Sequence, residues 1–167
     1  MAKHKRKKDA DVPIEKFGDG LVAKNRRARF DYELGDRIEA GLSLRGSEVK
    51  VLRENKADIS EAWCKVERGE AFICGMNIPE LQGTPWGHEA KRSRKLLLHQ
   101  HEIAQLSRAI ERQGMTVVAT RLYFRGGHAK VEIALAKGKK TIDKRQTVKA
   151  READREARAA IERHHRR

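Results

Sequence analysis

The residues best suited to catalysis or metal binding are two cysteines and seven histidines. Cys64 and Cys74 are too far apart for a C-x-x-C pair and too few for a four-ligand zinc set. His88, His99 and His101 lie among basic residues, and His164 and His165 fall at the end of the chain. Because a metal site needs three or four converging ligands, we interpret these histidines as solvated or phosphate-contacting. The two thiols are expected to be packed rather than redox-active.

The common catalytic templates are missing from the sequence. It contains no G-x-x-x-x-G-K-[ST], H-E-x-x-H, G-x-S-x-G or G-x-G-x-x-G motif, and each of these supplies a geometry that phosphate binding or hydrolysis requires. The carboxylates are scattered one at a time, whereas a nuclease needs clustered acids to hold metal ions. We therefore expect a protein that is not an enzyme and uses no metal or other cofactor.

An excess of positive charge is the strongest compositional signal. The 167 residues include 38 Lys and Arg against 24 Asp and Glu, a formal net charge of +14. This excess favours a polyanionic partner, with nucleic acid or an anionic membrane first. The cationic start MAKHKRKK is followed by no apolar signal-peptide segment, and no run of about 18 apolar residues occurs. We expect a soluble, cytoplasmic protein in a reducing compartment.

The charge pattern divides the chain into three segments. Residues 1–23 are predicted to be a disordered basic arm, because like charges crowd its first positions, at Lys3, Lys5, Arg6, Lys7 and Lys8. Residues 24–137 contain the apolar periodicity needed for a core and are predicted to be the folded domain. Residues 138–167 form a basic tail with 11 basic and 5 acidic side chains.

Apolar residues that alternate with polar ones predict the strands, since neighbouring side chains of a strand point to opposite faces. Such residues are Phe30, Tyr32, Leu34, Ile38, Ala40, Leu42 and Leu44. A hairpin is predicted between Ile59 and Ile78, with its turn at Arg68-Gly69 and with Cys64 near Ile73. The clearest hairpin signal is Gly126-Gly127. Its predicted pairs are Leu122 with Val131, Val118 with Leu135, Arg121 with Glu132 and Tyr123 with Lys130.

Two helices are predicted between these strands. A short helix begins near Ser47, the expected N-cap, and a longer one carries Ile103, Leu106 and Ile110 and ends at Gly114. The whole pattern predicts a mainly β fold with helices: a small antiparallel OB-type barrel of about six strands with two or three packed helices. A basic barrel of this kind indicates RNA or DNA binding, on fold-level analogy.

Five blocks of sequence together resemble the SsrA-binding protein family, also called small protein B, of bacterial trans-translation. They stand in the family's order and spacing: NRRARFDY (25–32), EAGLSLRGSEVKVLRENKADIS (39–60), RKLLLH (94–99), KVEIALAKGKK (130–140) and DKR (143–145). The resemblance spans nearly the whole chain. It implies an OB-type barrel that binds the tRNA-like part of transfer-messenger RNA (tmRNA) and brings it, charged with alanine, to stalled ribosomes.

The resemblance also implies which side chains bind RNA. The matching positions of the N-R-x-A-R, E-A-G, R-K-L-L-L and K-V-x-I motifs are Asn25, Glu39, Leu97 and Lys130. Beside Asn25, the guanidinium groups of Arg26, Arg27 and Arg29 can neutralise phosphates while the amide reads a base edge or a 2′-hydroxyl. Glu39 would accept a hydrogen bond from a guanine or cytosine amino group or a neighbouring arginine. A solvated ion pair is the alternative interpretation of Glu39.

For the tail, the resemblance implies action inside the ribosome. The G-K-K and D-K-R elements correspond to Gly138, Lys139, Lys140, Asp143, Lys144 and Arg145. Small apolar residues recur at helical spacing at Ala150, Ala153, Ala157 and Ile161. This stripe buries too little apolar area to order so basic a segment. The tail is therefore expected to be disordered when free and helical in the vacant mRNA path of the ribosome.

The implied partners are tmRNA, the small-subunit RNA near the decoding centre of the ribosome, and elongation factor Tu in the delivery complex, with no membrane. Ile142 stands where many relatives have a polar or aromatic residue before D-K-R, and Leu81–Ala90 matches no family feature. A generic OB-type RNA-binding protein associated with ribosomes is the alternative. A single-strand binder would expose several aromatic rings, but aromatics make up only 5% of the chain, which favours folded RNA.

Overall fold

The computed structural model describes residues 20–81, 83, 87–139, 148, 152, 153 and 155–158, with the backbone alone at residue 112. Its elements, in chain order, are β1 Leu21–Lys24, α1 Ala28–Asp31, β2 Tyr32–Leu42, α2 Gly46–Arg53, β3 Trp63–Glu67, β4 Glu70–Cys74, β5 Arg94–Leu97, α3 Gln100–Gln113, β6 Thr116–Arg125 and β7 His128–Gly138. The described tail positions 148, 152, 153 and 155–158 are helical and exposed. Most of the predicted arm and of the predicted tail lies outside the described residues.

Six of the seven strands close into a barrel, and the predicted fold class is confirmed. Their order is β6-β3-β4-β5-β2-β7, and β7 pairs again with β6, while β1 adds to β6 outside the ring. Every pairing is antiparallel. Closure gives each of the six ring strands two neighbours, so this small sheet has no long unpaired edge within the ring.

The interior of the barrel is filled by aliphatic side chains from all sides of the sheet. Among those with no more than 1% of their surface exposed are Ile73, Leu96, Leu122, Val131 and Ile133. Helix α3 packs on β3 and β6, and its Leu106 is fully buried. The helix ends where predicted, at Gly114, whose φ of 58° places it in the left-handed region that favours glycine.

Both predicted hairpins form about their predicted turns. Arg68 and Gly69 have φ values of 52° and 76°, and Gly126 and Gly127 have φ values of 57° and 76°, as tight two-residue turns require. Cys64 lies opposite Ile73, as predicted. In the second hairpin the pairs Leu122–Val131, Arg121–Glu132 and Tyr123–Lys130 are confirmed, but Val118 lies opposite Ala134 and not Leu135.

A β-bulge at Thr120 explains why Val118 does not pair with Leu135. The β6–β7 register shifts between Ala119 and Arg121, so that one extra residue of β6 is left without a direct partner on β7. The Thr120 hydroxyl donates to the Glu132 backbone carbonyl and carboxylate, at 3.1 and 2.5 Å. Simple alternation cannot reveal a bulge, because the apolar pattern continues on both sides of it.

Two sequence predictions near the amino terminus are wrong. Phe30 lies in the single helical turn α1, not in a strand, because the chain reverses there between β1 and β2. Strand β1 was not predicted, and its residues Leu21–Ala23 belong to the sheet rather than to a disordered arm. Such a four-residue strand is too short to display a convincing period.

A buried ion pair joins α2 to β5. Glu48 and Arg94 are both fully buried, and Arg94 Nε lies 2.8 Å from Glu48 Oε1. Arg92 adds a second cation, with Nη2 at 2.5 Å from Glu48 Oε2. Three further Arg94 N–H groups donate to the carbonyls of Met76, Arg92 and Ala90, at 2.8, 2.9 and 3.0 Å. The charges are thus paired and hydrogen-bonded, which a buried ion pair requires.

The connection between β4 and β5 is also held to α2 by His88. This side chain is buried, with Nε2 at 3.1 Å from the Ile78 carbonyl and Nδ1 at 2.9 Å from the Ser47 hydroxyl. Ser47 is therefore not the N-cap that the sequence suggested: α2 begins at Gly46, and the serine hydroxyl faces the imidazole. The Arg45 N–H is bound by the Glu48 carboxylate at 2.7 Å instead.

We predict that Glu48→Gln destabilises the fold by about 3–5 kcal/mol, because it leaves the buried Arg94 guanidinium, and the half-buried one of Arg92, without their counter-charge. Glu54→Gln, which removes an exposed partner of Lys56, should cost no more than about 0.5 kcal/mol. Urea denaturation with each variant measures the difference. A Glu48→Gln protein as stable as the Glu54→Gln control would contradict the role given to this pair.

The pH dependence provides a second check on Glu48. Burial acts to raise its pKa, but hydrogen bonds from Arg92, the Arg45 N–H and Arg94, with the Arg94 charge, outweigh burial and lower the pKa below 4.5. A carboxylate with a lowered folded-state pKa stabilises the fold at neutral pH and loses this contribution as the pH falls through that pKa. The difference in the free energy of unfolding between wild type and Glu48→Gln should therefore become smaller only at acidic pH.

Candidate RNA-binding surface

Three of the predicted RNA-binding side chains meet at one groove of about 600 Å³ on the outside of the barrel. Glu39 comes from the middle of β2, Lys130 from β7 and Leu97 from the end of β5. They are far apart in sequence, and the pairing of β2 with both β5 and β7 brings them together. We call this the Glu39 groove; its lining also includes Glu70, Lys95, His99 and Ile103.

Leu97 is presented to solvent by a close approach of two strands. It pairs with Gly41, and a Cβ atom at Gly41 would lie only 3.2 Å from the Cβ of Leu97. The leucine remains 56% exposed, which makes it one of the few large apolar side chains of the described residues that face solvent. The glycine of the E-A-G motif thus provides room for the leucine of the R-K-L-L-L motif.

Glu39 is surrounded by hydrogen-bond donors. The Tyr123 hydroxyl donates to its carboxylate, Arg125 Nη1 lies 3.2 Å from Oε2, and Lys130 Nζ lies 3.7 Å from Oε1. Burial acts to raise the pKa of Glu39, but the hydrogen bonds from Tyr123 and Arg125 and the charges of Arg125 and Lys130 lower it below its usual value. Glu39 is therefore an ionised acceptor held in a fixed orientation at neutral pH.

Two partners of Glu39 were not assigned to the site from the sequence. Tyr123 was placed opposite Lys130 only as a hairpin pair, and Arg125 was not singled out. Burial and the hydrogen bond to Glu39 raise the pKa of Tyr123, so its hydroxyl keeps the proton that it donates. The pairing of Tyr123 with Lys130 could have assigned the tyrosine to the site. It places Tyr123 on the face of the sheet that carries Lys130 and Glu39.

The charged surface continues from the Glu39 groove along the barrel. Glu132 is the register partner of Glu39, and its Oε1 lies 3.8 Å from Arg37 Nη1 and 3.7 Å from Arg121 Nε. Arg37, Arg121 and Glu132 line a second, smaller recess together with Lys24, Asn25 and Arg29. The Glu39 groove and the arginine segment Asn25–Arg29 therefore lie on one continuous outer surface.

Asn25 is buried, with 6% of its surface exposed, and its amide is engaged within the protein. Nδ2 lies 3.1 Å from the Ile59 carbonyl and 3.0 Å from the Ala119 carbonyl, and Oδ1 accepts from the Ala28 N–H at 2.9 Å. The Ala119 carbonyl lies at the β6 bulge, so Asn25 fills a position created by the bulge. In this arrangement the amide organises the arginine segment and is not free to read a base.

The three arginines beside Asn25 are exposed, as expected. Arg27 Nε is 3.9 Å from Asp31, a long ion pair that leaves 74% of the Arg27 side chain exposed. The carbonyls of Arg29 and Asp31 accept hydrogen bonds from Lys139, at 2.9 Å from Nζ and 3.0 Å from the backbone N–H. The first tail lysine is therefore held against α1, directly after β7 ends at Gly138.

The remaining residues singled out in the sequence belong to the tail or are histidines and cysteines. Lys140, Asp143, Lys144, Arg145 and Ile142 lie outside the described residues. His99 lines the Glu39 groove and stacks on His101, with 5.5 Å between the ring centroids. His88 is instead buried and hydrogen-bonded to the Ile78 carbonyl. Cys64 is buried, which raises the pKa of its thiol, and both cysteines are free.

Neither metal-ligand clusters nor membrane-spanning segments are found in the described part of the chain. There, no three or more His, Cys, Asp or Glu side chains are grouped so that they could hold a metal ion. None of the described helices is long and apolar enough to cross a bilayer.

The chain is similar to known proteins over most of its length. Residues 22–163 match the family model described as SmpB protein. SsrA-binding proteins of Sorangium cellulosum and Beijerinckia indica are 54% and 52% identical to it, over 90% and 81% of this chain and 94% and 88% of theirs. A chain of the solved structure described as "tmRNA-SmpB: a journey to the center of the bacterial ribosome" is 41% identical, with a TM-score of 0.61, over 72% of this chain and 85% of that chain.

We predict that Asn25→Ala lowers the free energy of unfolding by about 1–3 kcal/mol, because it leaves the Ala28 N–H without its side-chain acceptor and removes the amide donor that the Ile59 and Ala119 carbonyls share. Asn25→Asp places a carboxylate opposite these two carbonyl oxygens, so this variant should be no more stable than Asn25→Ala. Gln105→Ala, which removes an exposed amide of α3, is the control. Thermal or urea unfolding decides: unchanged stability of both Asn25 variants would instead support a surface role in direct RNA contact.

Proposed function

Since the chain belongs to the SmpB family, we propose that it is the RNA-binding adaptor of bacterial trans-translation. In this role it binds the tRNA-like domain of tmRNA and delivers the alanine-charged RNA to stalled ribosomes, so that the stalled peptide is tagged and the ribosome rescued. The protein supplies binding and positioning, and catalyses no step itself. In this proposal it acts in the cytoplasm.

The observation that carries this proposal is the convergence of Glu39, Leu97 and Lys130 at one groove. Three side chains from three strands, each matching a family motif linked to RNA, have little reason to meet at the surface unless they share a ligand. None of the three packs in the core, and Leu97 is mostly exposed to water. Their shared location supports a common role in RNA recognition.

Each side chain of the groove fits a different part of folded RNA. Lys130 provides a positive charge for a phosphate, and Leu97 offers an apolar surface for a base or ribose. Glu39 would repel phosphates, so its place in the groove is explained by acceptance from a base amino group or by orientation of Arg125 and Tyr123. The exposed Arg26, Arg27 and Arg29 add positive charge beyond the groove.

The tail acts in the ribosome in this proposal. Residues 138–167 enter the mRNA path left vacant by the stalled message, near the small-subunit RNA of the decoding centre, and elongation factor Tu accompanies the delivery complex. The 11 basic residues of the tail provide the charge for such a path. Lys139, which is bound to α1, defines where the tail leaves the barrel.

For RNA recognition, we predict that Glu39→Ala reduces selectivity for the tRNA-like domain over unrelated tRNAs more than it weakens all binding. Lys130→Ala should weaken binding to every RNA and reduce the salt slope of log Kd by about one unit, because one phosphate contact is lost. The controls are Glu33→Ala, an exposed acid of the same strand, and Lys50→Ala, an exposed lysine of α2. Equal binding of wild type to all the RNAs would favour a generic RNA-binding protein instead.

For the tail, we predict that a chain truncated after Lys139 binds the tRNA-like domain with wild-type affinity but does not support tagging of stalled peptides in a reconstituted translation reaction. The truncation retains Lys139, because removing its contacts with Arg29 and Asp31 would disturb the arginine segment as well. Normal tagging by this protein, or loss of RNA binding in parallel with tagging, would contradict the division of labour between barrel and tail.

A further inference from the structure

Trp63 is an aromatic side chain that faces solvent and is not explained by packing. It begins β3 and is 46% exposed, whereas the described phenylalanines and tyrosines are all buried or half-buried. Its neighbour Cys64 points into the core, so the strand directs the indole outward. A large aromatic surface in water is costly unless a partner covers it.

The indole lines a recess of about 160 Å³, which we call the Trp63 recess. Tyr32 and Val118 contribute apolar walls, and Arg27 of the arginine segment and Asp31 of α1 contribute charged ones. Glu61 adds a second carboxylate, 3.9 Å from Lys91. Two carboxylates would repel a phosphate placed in the recess, but they can accept hydrogen bonds from the amino group of a base.

The recess lies at one end of the surface that already carries the candidate RNA contacts. Asn25 lines both this recess and the neighbouring one formed by Arg29, Arg37 and Glu132. Glu132 in turn is the register partner of Glu39. A continuous series of contacts therefore leads from the Glu39 groove past the arginine segment to Trp63.

We propose that the Trp63 recess binds an unstacked base of the tRNA-like RNA, which stacks on the Trp63 indole while Arg27 contacts the adjoining phosphate. The inference rests on the proposed function, since it takes the RNA held by the arginine segment as the source of the base. Bases outside a helix are commonly recognised by stacking on aromatic rings together with hydrogen bonds to their edges. One half-exposed ring is far smaller than the roughly 800 Å² per partner of a stable protein interface, which argues against a protein occupant.

The direct test uses the fluorescence of Trp63. Replacing the second tryptophan, in a Trp86→Phe protein, leaves Trp63 as the sole indole. On titration with the tRNA-like RNA, with binding followed independently by anisotropy of labelled RNA, we expect Trp63 emission to be quenched and its access to acrylamide to fall in step with saturation. Complete binding with unchanged emission would overturn the inference and leave the proposed function intact.

Two other outcomes are equally decisive. Wild-type and Trp86→Phe proteins that are both folded but bind no tRNA-like RNA would overturn the proposed function, and this inference with it. A Trp63 signal that responds to ribosomes or to another protein but not to the tRNA-like RNA would show that the recess has a different occupant.

A matched pair of variants tests whether the ring itself matters. Trp63→Leu keeps an apolar side chain without an aromatic face and should weaken RNA binding roughly 5- to 100-fold, with an unchanged salt slope. Trp63→Phe should retain most of the affinity, because it keeps a stacking surface. Arg27→Ala should reduce the salt slope by about one unit. Equal affinity of the Leu and Phe variants would overturn stacking as the mode of binding.

Discussion

The buried pair of Glu48 and Arg94 is the interaction on which the placement of the Glu39 groove depends. Arg94 is the first residue of β5, and its side chain binds α2 through Glu48 and the preceding loop through three backbone carbonyls. β5 is short and joins β2 by only two register pairs, one of which positions Leu97 against Gly41. The ion pair therefore helps to hold the strand that brings Leu97 beside Glu39. Both charges are acceptable in the interior because the two arginines and the backbone satisfy the carboxylate from several sides.

The arginine segment depends on a second local feature, the bulge at Thr120. An extra residue in β6 displaces the ladder and offers carbonyl groups of Ala119 and Thr120 to the β1–α1 connection. Asn25 binds both carbonyls, through its side chain and its backbone N–H, and caps the Ala28 N–H with the same amide. A buried asparagine and an irregular strand thus place three flexible arginines at a defined point of the barrel surface.

Lys139 connects this segment with the tail. Its ammonium group and its backbone N–H donate hydrogen bonds to two carbonyls of α1, those of Arg29 and Asp31. The two proposed activities, RNA binding by the barrel and ribosome engagement by the tail, therefore meet at one short helical turn. An RNA that contacts Arg27 or Arg29 binds immediately beside the point where the tail leaves the barrel.

Much of the sheet could be predicted from sequence, because strand alternation and two-residue turns are local properties. The Gly126-Gly127 and Arg68-Gly69 hairpins and the end of α3 at Gly114 follow from such signals. Prediction failed at Phe30, where the chain reverses between β1 and β2, and at Val118, where a bulge shifts the register of β6 against β7. It also failed at Ser47, whose hydroxyl faces the imidazole of His88, 41 residues away.

The sequence by itself determined the basic charge, the family resemblance and the residue types available for RNA contact. Only the tertiary structure decided what each of them does. It buries Asn25 as a positioning group, gathers Glu39, Leu97 and Lys130 at one groove, and leaves Trp63 facing solvent beside the arginines. The physical reason is that burial and hydrogen-bond partners are set by strand pairing between residues up to about a hundred positions apart, which no local pattern records.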